Sequence, residues 1–286
     1  MTPVELRNGR YYKREDLYRM EPSGVNGSKL RACQHLMSRA LEKNPSIMKV
    51  VTAQSVLSPQ AAMSAVVAKS LGLECDVIVG ATTPTKALRH RSIAIAVAHG
   101  ATVHAVPVAY NPFLQKAALA AAEEAGAWRM PYGVTTAPDA SLEDLEAFLA
   151  VGGEETANLP DEIETLVVPF GSANTACGVL YGLQDHRPAA LRDVYLMEIG
   201  PSRRDWAAAR LEKVGRPMVP DGVRLHYITL HDVWASYGDS MPETADGIVL
   251  HPSYEGKIAR WLNLVSPEYW TRRDNTTCFW VVGGPI

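Results

Sequence analysis

Two kinds of apolar segment alternate along the chain. Short runs such as residues 75–79 (CDVIV) and 163–169 (IETLVVP) are rich in β-branched and other apolar residues, as is typical of buried strands. Longer segments such as Ser28–Lys43 and Asn111–Ala125 carry apolar residues at helical spacing. This alternation predicts an α/β fold whose strands are mostly parallel.

The pattern divides into two sets of strands and helices. We expect strands at residues 49–52, 75–79, 101–106, 163–169, 194–199 and 277–282. We expect helices at residues 28–43, 58–71, 85–98, 111–125, 142–149, 175–183, 203–214 and 253–264. The two sets predict a smaller lobe of residues 45–140 and a larger lobe of residues 1–44 and 141–286. Ligands of parallel α/β sheets bind near the carboxyl ends of the strands, so we expect the functional site in the cleft between the lobes.

Composition and charge exclude several functional classes. The chain has 286 residues and a formal net charge of −3, so it offers no broad basic surface to nucleic acid or to an anionic membrane. It shows no apolar run of transmembrane length and no signal-peptide core at its start. Its four cysteines lack CxxC spacing and its eight histidines lack paired spacing. We therefore expect a cytoplasmic protein with reduced thiols and without a metal site.

A small-residue loop follows the strand predicted at residues 163–169. It contains Gly171, Ser172, Ala173, Asn174 and Thr175, and a helix is predicted to begin there. Backbone N–H groups at the N-terminus of a helix bind anions, so the loop is a candidate phosphate site. It lacks the G-K-[ST] of a Walker loop. An ordinary strand–turn–helix connection with a Ser or Thr cap is the alternative interpretation.

Three further residues could carry chemistry. Lys29 lies in the first turn of a predicted helix, where a buried amine could act as a nucleophile and form a Schiff base. A solvated surface lysine is the alternative. Tyr254 and Glu255 stand where a turn leads into a helix, and they could either face a ligand or simply cap that helix.

The order of these segments resembles that of the fold type II pyridoxal-phosphate enzymes, of the tryptophan synthase β type. The resemblance is greatest to the branch of 1-aminocyclopropane-1-carboxylate deaminase and D-cysteine desulfhydrase. The sequences that carry it are KREDL at 13–17, NGSKLR at 26–31, SPQ at 58–60, GSANTACG at 171–178, PSYEGK at 252–257 and VGG at 282–284. They correspond to the branch's KREDL, its lysine loop, S-N-H, G-S-G-G-T-x-A-G, D-P-V-Y-E-G-K and H-T-G-G.

The resemblance implies a two-lobed enzyme with pyridoxal 5′-phosphate as cofactor, and a homodimer. It implies that Lys29 is the Schiff-base lysine, that residues 171–175 hold the cofactor phosphate and that Glu255 faces the pyridine nitrogen. Tyr254 and Tyr237 are the implied catalytic tyrosines, which could exchange a proton with the substrate. Ser58 and Gln60 occupy positions implied to bind the substrate.

Several positions depart from the family pattern. Pro59 stands where the family has an asparagine that faces the cofactor's 3-hydroxyl, and Gln60 replaces its histidine. Ala173 and Asn174 replace glycines of the phosphate loop. The separation between Tyr237 and Tyr254 is also short for the deaminase branch. These changes fall in the loop that meets the substrate carboxylate and in the wall of the site, so they bear on the substrate more than on the cofactor.

Three functions follow from this comparison. The first is a lyase or deaminase that acts at the α-carbon of an amino-acid-type substrate through Lys29. The second is a decarboxylase, or another enzyme of α-carbon chemistry, for a larger conjugate such as an amino-acid-modified nucleotide. The third is a binding protein of the same fold without catalysis. In each case the expected partner is a small-molecule amine, and a nucleotide-linked substrate stays open although nucleic acid itself is not expected.

Overall fold

The chain forms two compact units. The computed structural model describes residues 1–231, 233–236, 238–265 and 276–285. Residues 1–18 and 140–285 form the larger unit, and residues 19–139 form the smaller unit. The predicted division differs from these units in residues 19–44, which it assigned to the larger lobe. They belong to the smaller unit because the helix Ser28–Lys43 packs against the helix Gln60–Ser70.

The strands within the described residues are short and mostly buried. In chain order they are β1 (Val4–Arg7), β2 (Arg10–Arg14), β3 (Arg19–Met20), β4 (Val25–Asn26), β5 (Lys49–Gln54), β6 (Glu74–Gly80), β7 (Thr102–Val106), β8 (Trp128–Arg129), β9 (Thr165–Phe170), β10 (Asp193–Glu198), β11 (Arg224–Thr229), β12 (Thr244–Ala245), β13 (Ile248–Val249) and β14 (Thr277–Val281).

The α-helices alternate with these strands. In chain order they are α1 (Ser28–Lys43), α2 (Gln60–Ser70), α3 (Pro84–Ala87), α4 (Arg91–Ala98), α5 (Asn111–Ala125), α6 (Leu142–Gly153), α7 (Asn174–Gly182), α8 (Arg204–Lys213) and α9 (Glu255–Val265). Over the part of the chain that is described, none of these helices has the length and apolar character needed to cross a membrane.

The larger unit is built on a mixed sheet with the strand order β1-β2-β14-β9-β10-β11 among its described residues. β1 pairs antiparallel to β2, and the other neighbours pair parallel. Along β9, Leu166 and Val168 pack into a core that includes residues of α6, α7 and α8. Val167 points to the other face and packs with Ile258 of α9. Because both faces of the sheet are covered, its central strands read as continuous apolar runs.

The smaller unit is built on a parallel sheet with the order β7-β6-β5-β8. Val51 and Ala53 of β5 pack against α5 through Leu114 and Ala118. Thr52 points to the opposite face, where it meets Gln60 at the start of α2. Side chains alternate between the two faces of a strand, so Val51 and Ala53 face α5 while Thr52 faces α2.

The predicted strands and helices are confirmed, with shifted ends, except for the helix expected at residues 85–98. That segment forms two helices, α3 and α4, which are separated by residues 88–90. His90 is extended, with φ −90° and ψ 124°, and ends the continuity of the helix. The segment contains no proline or glycine at this break, so its periodicity gave no sign of it.

The sequence pattern did not predict β1, β2 or β11. The sequence of β2 is RYYKR, and all five of its residues are buried. Lys13 is fully buried, and its Nζ lies 2.7 Å from Glu155 Oε2. The same Nζ donates to the backbone oxygen of Thr2 at 2.8 Å. A buried charge is tolerated only when it is paired and hydrogen-bonded, and these partners make a charged sequence into an interior strand.

Glycines bring α6 and α7 into close contact in the larger unit. A Cβ at Gly178 would lie 2.9 Å from the Cα of Gly152, and one at Gly182 would lie 2.1 Å from the backbone oxygen of Gly153. The two helix backbones therefore touch without side chains between them. This contact fixes the position of α7, whose first residue follows the loop 171–173.

Gly182→Ala is expected to destabilise the fold, although alanine normally favours a helix over glycine. The added Cβ would overlap the Gly153 oxygen, so the helices would have to separate. We expect the free energy of unfolding to fall by about 1–3 kcal/mol, the usual cost of overpacking, as measured by urea denaturation. Gly238→Ala is the control, because a Cβ there meets nothing within 4 Å. Equal stability of the two variants would contradict this prediction.

Candidate active site

The carboxyl ends of β9, β10 and β14 gather the candidate residues of the larger unit. Phe170 at the end of β9 pairs with Glu198 at the end of β10, so the loops that follow both strands start at the same edge. β14 pairs with β9 on the other side and leads into Val282 and Gly283. In parallel α/β sheets this edge is where ligands bind.

The predicted phosphate loop lies at this edge and leads directly into α7. Ala173 has φ 66° and ψ −4°, a left-handed conformation that costs a non-glycine residue about 1 kcal/mol. Its carbonyl oxygen accepts the N–H of Cys177 at 2.8 Å, which starts the helix. Asn174 Nδ2 lies 3.5 Å from Ser172 Oγ. The positive end of the α7 dipole therefore points to the loop, an arrangement that suits an anion.

Glu255 is buried at the start of α9 with two differently placed oxygens. Oε1 accepts the backbone N–H groups of Val282 at 2.6 Å and Gly283 at 3.2 Å. Oε2 is buried and meets no hydrogen-bond partner among the described residues. Burial raises the pKa of Glu255 to about 8, and the nearby carboxylate of Asp16 adds to this, although the backbone N–H groups oppose it. The side chain can therefore hold a proton near neutral pH at an oxygen that needs a partner.

The residues that follow Glu255 are held in place by contacts with Ser236 and Met241. A Cβ at Gly256 would lie 2.0 Å from the backbone oxygen of Met241. Lys257 Nζ donates to the backbone oxygen of Ser236 at 2.6 Å. The ring of Tyr254 packs on that of His251, with the ring centroids 4.6 Å apart. The second predicted tyrosine, Tyr237, lies outside the described residues.

Lys29 lies in the first turn of α1 in the smaller unit, after Gly27 with φ 100°. The residue as a whole keeps some exposure, but burial of its amine lowers the pKa to about 8. Within the described ranges, no acidic side chain forms an ion pair with it. A buried amine without a counter-ion is neutral in a substantial fraction of molecules near pH 8, and it can then act as a nucleophile.

The predicted substrate-binding residues Ser58 and Gln60 flank Pro59 at the start of α2. Gln60 is buried, and Gly133 N–H donates to its Oε1 at 3.0 Å. Its Nε2 donates to Thr52 Oγ1 at 3.0 Å. Ser58 Oγ accepts the N–H of Gln60 at 3.3 Å. Both ends of the Gln60 amide therefore bond to the protein and hold Thr52 and Gly133 in place. Its role in substrate binding stays a prediction.

The sequence interpretation missed Gln54, which belongs to the same network. Its Oε1 accepts the hydroxyl hydrogen of Thr52 at 3.0 Å, and both side chains are fully buried. The signal was present in β5, where the sequence VVTAQ places two polar residues on one face of an otherwise apolar strand. Polar side chains on the buried face at the end of a parallel strand are candidates for a site.

Comparisons with known proteins identify the family. Residues 3–240 match the profile of the pyridoxal-phosphate dependent enzymes, and the chain belongs to this family. It is 30% identical to the O-seryl-dTMP PLP-dependent decarboxylase of Salmonella phage ViI, with 96% of this chain and 77% of that protein covered. It is 27% identical to a D-cysteine desulfhydrase of Yersinia pestis, with 86% of this chain and 78% of that protein covered.

Solved structures agree on the fold. A crystal structure of a 1-aminocyclopropane-1-carboxylate deaminase homologue has a TM-score of 0.73 and 24% identity, covering 99% of this chain and 89% of its own. The processed threonine deaminase isoform 2 of Solanum lycopersicum has a TM-score of 0.67 and 18% identity. The match covers 100% of this chain and 79% of the deaminase chain. The predicted α/β fold, the fold type II family and the cofactor pyridoxal phosphate are confirmed.

The residues of the larger unit fit this cofactor. The pyridine nitrogen of pyridoxal phosphate can share a proton with a carboxyl oxygen, and Glu255 presents a buried oxygen that lacks a partner among the described residues. The cofactor's phosphate matches the loop before α7 in charge. The buried oxygen of Glu255 and the N-terminus of α7 are thus compatible with the ring nitrogen and the phosphate of this cofactor.

Glu255 is expected to make the cofactor-free protein less stable as pH rises. Its pKa is raised from 4.5 to about 8 in the folded state, so its contribution is complete below pH 4.5 and is lost as pH rises through 8. The loss should reach up to about 5 kcal/mol in the free energy of unfolding. Urea denaturation at several pH values measures it.

Glu255→Gln should remove this pH dependence, because the amide can still accept both backbone N–H groups but cannot ionise. Glu212→Gln, at an exposed glutamate of the same unit, is the control and should keep it. A Glu255→Gln variant whose stability falls with pH as steeply as the natural protein would contradict the prediction.

Proposed function

We propose that this chain is a pyridoxal-phosphate-dependent decarboxylase that removes the α-carboxylate of an amino acid attached to a larger group, such as a nucleotide. The observation that carries this proposal is the small number of free hydrogen-bond donors at residues 58–60. Pro59 has no N–H, and both ends of the Gln60 amide are bonded within the protein. The resemblance assigns this segment to the substrate carboxylate, so that carboxylate would meet fewer donors here than in the deaminase branch.

The scarcity of donors favours loss of the carboxylate. Hydrogen bonds that stabilise a carboxylate in the bound substrate have to be broken when it leaves as carbon dioxide, so they slow decarboxylation. A segment with fewer such donors imposes less of this barrier. The similarity to the phage decarboxylase, whose name specifies O-seryl-dTMP, supports both the reaction and the substrate class.

Lys29 would hold the aldehyde carbon of the cofactor and exchange it for the substrate amine. Its lowered pKa supports this role, because about half of the amine is neutral at pH 8. Bound pyridoxal phosphate supplies a conjugated ring that delocalises the negative charge developing at the α-carbon. Lys29, once released, and Tyr254 are the candidates to deliver a proton to that carbon, with Tyr237 as the third.

The larger unit would orient the cofactor from two sides. Residues 171–175 would bind the phosphate through the N-terminus of α7. Glu255 would keep a proton at the ring nitrogen, since its own raised pKa lets one proton be shared between carboxyl and pyridine. A protonated ring withdraws electrons more strongly, which favours reaction at the α-carbon.

A deaminase or related lyase is the second candidate. The observation that favours it is the sequence Tyr254-Glu255-Gly-Lys257, which resembles the Y-E-G-K of the deaminase branch rather than the Y-T-G-K of the desulfhydrases. The amino-acid-type substrate and the cofactor are the same in both candidates. They differ in the bond that breaks at the α-carbon.

Attachment of the cofactor to Lys29 is expected to depend on pH. The cofactor-bound protein should show a visible absorption band, and borohydride reduction should leave the cofactor on the peptide that contains Lys29, as identified by mass spectrometry. The rate of attachment should rise with pH and level off above about 8, where the amine is neutral. Lys29→Ala should lose the band and the attachment, whereas Lys69→Ala, at an exposed lysine of the same unit, should keep both. Attachment to another lysine would overturn the assignment.

The products separate the two candidate reactions. We expect incubation of the full-length protein with a seryl nucleotide to release carbon dioxide without ammonia or keto acid, and Lys29→Ala to release none. Loss of carboxylate should be at least about a hundredfold slower in Glu255→Thr, which imitates the desulfhydrase pattern, because removal of one preorganised contact that stabilises developing charge has an effect of about this size. Ammonia and a keto acid in equal amounts, without carbon dioxide, would reject the decarboxylase and favour the deaminase.

A further inference from the structure

Gln54 is the last residue of β5, and only the oxygen of its buried amide has a hydrogen-bond partner among the described residues. Its side chain is fully buried, and its Oε1 accepts the Thr52 hydroxyl at 3.0 Å. Its Nε2 is buried and meets no acceptor within the described ranges. An amide N–H removed from water without an acceptor destabilises a protein, so native structures rarely keep one unless a ligand or an ordered water supplies the acceptor.

The direction of this amide is fixed by a chain of hydrogen bonds. The N–H of Gly133 can only donate, so the Gln60 atom that accepts it at 3.0 Å is the oxygen. The NH₂ of Gln60 therefore donates to Thr52 Oγ1 at 3.0 Å. The Thr52 hydrogen is then directed to the Gln54 oxygen. Turning the Gln54 amide over would leave that hydrogen without an acceptor, so the Gln54 NH₂ is the end that faces away from the network.

Helix packing places Lys29 at the same edge of the smaller unit as this network. Lys29 lies one turn before Cys33 on α1, and Gln60 lies one turn before Ser64 on α2. The Cys33 thiol and the Ser64 hydroxyl are neighbours where the two helices pack. Both helices are followed by a short connection to a strand of the same parallel sheet, so their N-termini lie at the same edge. Lys29 and the end of β5 are therefore at one edge of the smaller unit.

The polar atoms of the cofactor show which acceptor is left. Under the proposed function, Lys29 bonds to the aldehyde carbon, Glu255 meets the ring nitrogen and residues 171–175 hold the phosphate. The remaining polar atom of pyridoxal phosphate is the phenolic 3-oxygen. It is attached to the ring carbon next to the one that bears the aldehyde. It carries negative charge in much of the bound cofactor, and it lies on the side of the ring that Lys29 holds.

We infer that the Gln54 amide donates a hydrogen bond to this 3-oxygen of pyridoxal phosphate. Pro59, which precedes α2 at the same edge, has no N–H to offer the oxygen. A donor of fixed direction would hold the plane of the ring and stabilise charge on the oxygen, and hydrogen bonds to a charged acceptor are stronger than neutral ones. The inference rests on the proposed role of Lys29 as the residue that holds the aldehyde carbon.

The test measures cofactor binding in the full-length protein with Gln54→Leu. We expect the dissociation constant of pyridoxal phosphate to rise at least about tenfold, the effect of losing one hydrogen bond to a charged group. The visible absorption band should also shift, because charge on the 3-oxygen sets the energy of that transition. The cofactor-free variant should change little in stability, since removal of the unpaired NH₂ is offset by the loss of the acceptor of the Thr52 hydroxyl.

Gln115→Leu is the matched control in the same unit. The Gln115 NH₂ is already paired, because it donates to the backbone oxygen of Ala53 at 3.0 Å. We expect this variant to lose stability in the cofactor-free state while it keeps the dissociation constant and the band. Thr52→Val should weaken cofactor binding less than Gln54→Leu, because it only frees the Gln54 amide to rotate.

Each other outcome overturns the inference. A Gln54→Leu variant with unchanged cofactor affinity and an unshifted band would show that the amide meets no cofactor oxygen. A Gln54→Leu variant in which only the KM for substrate changes would show that the amide contacts the substrate and not the cofactor. A natural protein whose cofactor is not attached to Lys29 would reject the proposed function itself, whereas attachment without an effect of Gln54→Leu would reject the Gln54 contact alone.

Discussion

The carboxyl group of Glu255 links the fold of the larger unit to its chemistry. One oxygen accepts the backbone N–H groups of Val282 and Gly283, which holds the start of α9 against the end of the central strand β14. The other oxygen is buried beside them, and burial raises the pKa of the group to about 8. The same contact that completes the packing therefore places a proton-binding group at the carboxyl edge of the sheet. A group of this kind lowers the stability of the protein alone and becomes favourable with the cofactor.

The smaller unit follows the same principle with different residues. Lys29 has a buried amine without an ion pair among the described residues, and Gln54 has a buried amide whose NH₂ has no acceptor there. Each of these features conflicts with the rule that buried polar groups are satisfied. Such conflicts are expected where a ligand completes the structure, and the rest of the unit is well packed around them. Under the proposed function, a bound cofactor would satisfy Lys29, Gln54 and Glu255.

Backbone contacts make this edge rigid. Gly178 and Gly182 of α7 touch Gly152 and Gly153 of α6 without intervening side chains, so the helix that follows the loop 171–173 has little freedom to shift. Ala173 keeps a left-handed conformation in the loop, which glycine would adopt more easily. Surrounding packing maintains the strain, because the Ala173 side chain is part of the core. An anion site built from backbone groups depends on such rigidity, since its donors cannot move independently.

The sequence alone determined the alternation of strands and helices, the loop at Gly171 and the candidates Lys29 and Glu255, because hydrophobic period and short motifs are local properties. Tertiary structure decided what depends on distant partners. The charged sequence of β2 forms an interior strand because Lys13 meets Glu155, and residues 19–44 join the smaller unit because α1 packs on α2. The amide of Gln60 serves the fold because it bonds to Gly133 and Thr52, and the Gln54 NH₂ meets no acceptor within the described part of the chain. Hydrogen bonds between residues far apart in the chain have no signature in local sequence, so only the folded chain could assign them.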